Sequence, residues 1–110
     1  MPLSEKARIE VYIPDSPNPA YQNLLEAFDE EFMYTFGGAT IVRGLSGSYL
    51  SMFGLRIEDT ISLIYTDTSF AFEENFERVS RYTDELRNAA FEALAEEAVL
   101  VVALKVYHSE

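Results

Sequence analysis

The chain has 110 residues, 48% hydrophobic and 25% charged, a globular mixture that fits one domain over 1–110 and excludes disorder. No apolar run approaches the ~20 residues a membrane helix needs, and the absence of cysteine excludes disulfides, thiolate metal ligands and cysteine nucleophiles. Nineteen acidic residues against eight basic ones give a net charge of −11, which repels the phosphates of nucleic acids and of anionic membranes, so neither is expected as a partner.

Residues 6–13 alternate, with Ile9, Val11 and Ile13 on one side and Arg8, Glu10 and Tyr12 on the other, which predicts a half-buried strand. A break at Asp15-Ser16-Pro17 follows. Asn18 then suits a helix N-cap and Pro19 the first helical position, where a missing N–H costs nothing. Tyr21, Leu24, Leu25, Phe28, Phe32 and Phe36 recur at spacings of three and four, one apolar stripe, until Gly37-Gly38 stops the helix. Residues 40–50 predict a second strand with bends at Gly44 and Gly47. A short turn around Gly54 makes it a hairpin with a third strand over 57–65. Asp67-Thr68-Ser69 predicts a cap for a long helix over 70–97, with Phe72, Phe76, Val79, Thr83, Leu86, Ala90 and Leu94 along its stripe. Residues 98–108 read as the last strand.

The acidity is unevenly spread. Residues 18–37 carry Glu26, Asp29, Glu30 and Glu31 with no base, and residues 70–97 carry eight acids against three arginines. Both segments are helical by pattern, so the charge belongs to a solvated helix layer and the strands are close to neutral.

Strand, helix, strand, strand, helix, strand is two strand–helix–strand units around a central hairpin. Right-handed crossovers put both helices on one face of an antiparallel sheet of order 4-1-3-2, an α+β two-layer sandwich. With its Phe36-Gly37-Gly38-Ala39-Thr40 helix exit and Gly47-Ser48-Tyr49 hairpin element, the chain resembles the ferredoxin-like fold over nearly its whole length. It is similar to the small bacterial proteins of that fold without an assigned activity, and the resemblance implies no catalytic residue.

The chemistry-bearing residues are sparse. One histidine, His108, lies three residues from the C-terminus, where chains fray, so no Ser–His site is expected. Neighbouring carboxylates on a helix point about 100° apart and do not form a site. No phosphate-binding glycine loop opens a helix. Accordingly no catalytic residue, metal or cofactor is expected. The first residues lack the charged start and apolar stretch of a secretory signal, so a cytoplasmic location is expected.

The sheet face away from the helices is the place where a site or a contact could form. By parity it should show Arg8, Glu10 and Tyr12; Thr60, Ser62, Ile64 and Thr66; Arg43; and Val99, Val101, Ala103, Lys105 and Tyr107. Arg8, Tyr12, Arg43 and Tyr49 are the candidate ligand-binding residues, since tyrosine donates a hydrogen bond and arginine holds an anion. The core is expected around Ile9, Val11, Phe28, Ile61, Leu63 and Phe76. The last strand is apolar on both sides, so Val99, Val101 and Ala103 are expected at a contact between copies, in a homodimer or higher homo-oligomer. The leading functional expectation is a self-associating, non-enzymatic module of regulatory type. The alternative is a small dimeric α/β-barrel-type enzyme or binding protein that holds an organic ligand on the open face.

Overall fold

Six elements follow one another in the computed structural model, which describes residues 2–94 and 99–109. They are β1 (Leu3–Pro14), α1 (Pro19–Phe36), β2 (Thr40–Leu50), β3 (Arg56–Asp67), α2 (Phe76–Leu94) and β4 (Leu100–Ser109). The strands form one antiparallel sheet of order β2-β3-β1-β4, the expected order read from the other edge. Leu24, Leu25, Phe28 and Phe32 of α1 and Leu86 and Ala90 of α2 share one core with Ile9, Val11 and Ile13 of β1. Both helices therefore cover the same face of the sheet. No helix among the described residues is long and apolar enough to cross a membrane.

Local chemistry sets the limits of α1. The Asn18 side chain accepts a hydrogen bond from the Ala20 N–H at 3.0 Å, and Pro19 opens the helix. At the other end Gly37 takes φ 91° and its N–H donates to the Met33 carbonyl. A side chain at that φ is strained even though the space around it is empty. Gly37→Ala should therefore cost about 1 kcal/mol in urea unfolding. Gly38→Ala, at an ordinary φ with equally open surroundings, is the near-neutral control. Equal losses at the two positions would reject the left-handed cap as the cause.

The register of β2 against β3 shifts between Val42 and Leu45, a bulge at Gly44, which takes φ 76°. Beyond it the hairpin continues away from the core. It ends in a turn where Ser51 N–H donates to Leu55 and Gly54 N–H to Ser51. Tyr49, Leu50, Met52, Phe53 and Leu55 around this tip are exposed.

Several expectations are corrected here. In β3 the residues that face the helices are Ser62, Ile64 and Thr66, paired with Ile13, Val11 and Ile9; Ile61, Leu63 and Tyr65 lie on the open face. The inward hydroxyls are all satisfied. Ser62 donates to Asp15 at 2.7 Å, Thr66 donates to the Gly38 carbonyl at 2.7 Å, and Thr68 accepts from the Phe70 N–H. These short side chains leave room for the phenylalanines of α1, which supply the bulk expected of Ile61 and Leu63. Ile9, Val11 and Phe28 are buried as expected.

The parity of β4 is also the reverse of the expected one. Val101 and Ala103 pair with Val11 and Ile9 on the helix side, and Val99 and Val101 pack against the core. Lys105 faces the helix side too. It avoids the core by reaching out to Glu73, with Nζ 2.9 Å from Oε1. Leu100, Val102, Leu104 and Val106 take the open face, opposite Tyr12, Glu10, Arg8 and Lys6.

Helix α2 starts at Phe76 rather than 70, because the chain first stays beside β1. Thr68 N–H donates to the Ala7 carbonyl, and Ala7 N–H to that of Phe70. Phe76, set at the helix's first turn, is exposed instead of buried. The expected end of this helix at 97 and start of the last strand at 98 lie outside the described residues.

Candidate functional site

The first and third strands meet antiparallel with Arg8 directly opposite Asp67, both on the open face. The guanidinium grips the carboxylate with two hydrogen bonds, Nε to Oδ1 at 2.6 Å and Nη2 to Oδ2 at 3.0 Å. It also lies over the Tyr65 ring at 4.5 Å, a cation–π contact that helps hold it flat on the sheet. His108 comes in from β4, its Nε2 2.7 Å from Asp67 Oδ2. Asp67 is the hub of this cluster. The bond from Arg8, and secondarily the one from His108, hold its carboxyl below the usual carboxylate range against the opposing effect of burial.

A second pair lies four residues along β1. The Tyr12 hydroxyl donates to Glu10 Oε1 at 2.8 Å, and this bond to a carboxylate raises the phenol above its ordinary value. Around the two polar groups the open face is aliphatic, with Val42 and Leu45 from β2, Ile61 and Leu63 from β3, and Leu100, Val102, Leu104 and Val106 from β4.

The four candidate ligand-binding residues are not gathered into one recess. Arg8 and Tyr12 share the open face, and each is engaged with a neighbouring carboxylate. Arg43 sits exposed beside the bulge of the edge strand β2. Tyr49 pairs with Ile57 far out on the hairpin, six residues along β3 from Leu63, about 20 Å at the rise of an extended strand. A recess of about 320 Å³ does lie on the hairpin, lined by Ser46, Ser48, Arg56, Glu58 and Thr60 among others. Among the described residues no three carboxylate or imidazole side chains converge to hold a metal ion.

Sequence reasoning misses Asp67 and His108 as site residues, and it reads Asp67 as part of a helix cap. The signal that could find Asp67 is the crossing of two antiparallel strands with an arginine near the start of one and an aspartate at the end of the other. His108 stands within β4, which runs to Ser109, and pairs with Ser4. Chemically, Asp67 orients the imidazole through Nε2 and leaves Nδ1 turned away from the carboxylate. The arginine of the cluster is already occupied by the carboxylate.

The fold defined by these elements is ferredoxin-like. Among solved structures, the chain is similar to the divalent cation tolerance protein CutA1 of Thermus thermophilus, with TM-score 0.58 and 19% identity over 97% of this chain and 88% of that one. It is also similar to a phage SAM lyase in complex with S-methyl-5'-thioadenosine, with TM-score 0.60 and 12% identity over 96% and 90%. A third is CPII of Thiomonas intermedia, bound to ADP, AMP and acetate, with TM-score 0.50 and 16% identity over 100% and 94%. At these identities the likeness establishes the fold. No protein-family model and no curated protein matches the chain.

Proposed function

We propose that the protein is a self-associating ferredoxin-like module, with a binding or regulatory role, whose open sheet face is covered by a second copy of itself. The observation that carries this is the composition of that face: aliphatic rows from three strands surround polar groups that already satisfy one another. A partner can cover paired groups without leaving a charge or a hydrogen bond stranded.

Charge selects the occupant. The helix layer holds most of the −11, so two copies repel through it. On the open face Lys6 and Arg8 offset Glu10 and Asp67, and Asp59 adds one acid further out on β3, so copies meet there with far less repulsion than through the helix layer. Size agrees as well. Four strands at about 4.8 Å spacing and ~33 Å length make a face of roughly 600 Å², and two such faces bury about 1,200 Å², the lower end of stable interfaces. A twofold dimer is the simplest closed arrangement. With the parity corrected, the contact residues are Leu100, Val102, Leu104 and Val106 in place of Val99, Val101 and Ala103.

Light scattering at micromolar concentration should return at least twice the chain mass. Leu104→Glu should return the monomer while staying folded, because the half-buried position on the open face lets water solvate the new carboxylate in the free chain, whereas under a second copy it would be buried without a partner. A monomeric wild type, or a Leu104→Glu variant whose assembly is unchanged, overturns the reading.

A second reading rests on two of the structural neighbours. The phage lyase carries S-methyl-5'-thioadenosine and CPII carries ADP and AMP. On this reading the chain binds a small organic ligand, with an adenine nucleoside or nucleotide as the class to try and Arg8 and Tyr12, the two of the four candidates that share the open face, as candidate contacts. Native mass spectrometry of the protein from its own host reads subunit number and any retained ligand together. A ligand-free oligomer favours the first reading, and a retained nucleoside mass favours the second.

A further inference from the structure

We propose that the outer edge of β4 pairs antiparallel with the same edge of a second copy, about a twofold axis at Leu104, so that two sheets join into one. β4 is an outer strand, and it runs beside β1 from Leu100 to Ser109 in unbroken register, with no bulge and no proline. In an antiparallel ladder every second residue turns both its N–H and its C=O to the far side. Among the described residues no backbone group bonds to that far side of β4. Proteins blunt such edges with bulges, prolines, charge or a covering segment, and Lys105 is the one lysine or arginine on this strand. The other outer strand, β2, is blunted: its register breaks at Gly44, beside the exposed Arg43. Head-to-tail pairing of β4 on β2 would meet that bulge midway. Pairing of β4 on β4 meets none, and it closes on itself, which selects a second copy's β4 as the occupant.

Side chains fix the register. Opposite residues of an antiparallel pair stand on the same face, so the axis passes through a residue and not between two. Two registers give the longest overlap, residues 100–108 about Leu104 and residues 101–109 about Lys105. The second sets the two copies of Lys105 directly opposite one another, and like charges so placed are destabilising. The first sets Leu104 against Leu104 and Val102 against Val106 on the open face, and Ala103 against Lys105 on the helix side. The short alanine leaves the bond from Lys105 to Glu73 in place. The axis stands perpendicular to the sheet, so the edge contact goes beyond the covered open face proposed above and does not need it.

The chain has no cysteine, so introduced ones report the register without background. Under a mild oxidant Leu104→Cys should give a disulfide-linked dimer. Val102→Cys alone should not, because it stands four positions from its own copy, too far for a disulfide. Val102→Cys/Val106→Cys should link, since the two positions face each other across the axis. Self-linking of Val102→Cys alone overturns the register. Residue-resolved amide exchange of the wild-type full chain reads the edge itself. In the paired state every amide from Val101 to Tyr107 should be protected, and dilution to the monomer should speed every second one about tenfold or more. Covering the open face alone leaves that alternate set fast, since its N–H groups lie in the plane of the sheet. A fast alternate set in an oligomer therefore overturns the edge contact and leaves the face contact standing. A protected set in a chain of monomer mass means that a different strand covers the edge, and overturns the proposal as well. A wild type that is monomeric throughout overturns both contacts.

Discussion

Replacing Phe32 by alanine is expected to cost about 3–5 kcal/mol of folding stability. Phe32 is fully buried on α1, and its ring lies between those of Phe28 and Phe36, each 6.3 Å away between centroids. Phe36 in turn meets Tyr82 edge-on at 5.5 Å, which carries the row of rings across to α2. The row sits over Ile9, Val11, Ile13 and Ile64, where the inward side chains of β3 are otherwise small. Surrounding side chains relax only in part around a truncated core residue, so the lost transfer energy is joined by the cost of a cavity. Domains of this size have total stabilities of about 5–15 kcal/mol, so the variant should stand at the edge of unfolding. Phe32→Leu, which keeps much of the volume, should lose far less. Urea unfolding measures both, and a loss below about 1 kcal/mol for Phe32→Ala would reject this packing.

Asp67→Ala should destabilise the fold by about 1.5–3 kcal/mol at neutral pH, the range for charged hydrogen-bonded pairs. It removes the acceptor of both Arg8 bonds and of the His108 bond, leaving a largely sheltered guanidinium, 28% exposed, unmatched on the sheet. The pH dependence follows from the direction of the shift. Arg8 first, then His108, lowers the folded-state value of Asp67 below its unfolded value near ~3.9. The contribution is therefore complete above that unfolded value and is lost as pH falls through the lower, folded one. The gap between wild type and Asp67→Ala should be wide at about pH 7 and shrink at about pH 2.5 as the wild-type carboxylate takes its proton. A gap that is the same at both values would show that the ionised pair is not its source.

Much of the fold was legible along the chain because its signals are local. Asn18, Pro19 and Gly37 mark the ends of α1 through bonds made within one turn of helix. The alternation in β1 identified its inward row, since only one side of that strand is aliphatic. Gly44 marked a bend that the bulge occupies. The order of elements and the handedness of the crossovers then left one sheet order, which is the order observed.

What the chain alone could not determine was which side of β3 and β4 faces inward. Both sides of β4 are aliphatic, and in β3 the more aliphatic row points outward, so neither pattern distinguishes core from open face. Pairing with β1 decided it: Ile64 and Val101 both stand beside Val11, and their neighbours follow by alternation. The same long-range pairing brings Arg8, Asp67 and His108 together from three strands, Arg8 and Asp67 standing 59 positions apart in sequence and Asp67 and His108 41. Local propensity carries no information about partners that distant in sequence. Their meeting is set by strand register, and register is a property of the assembled sheet.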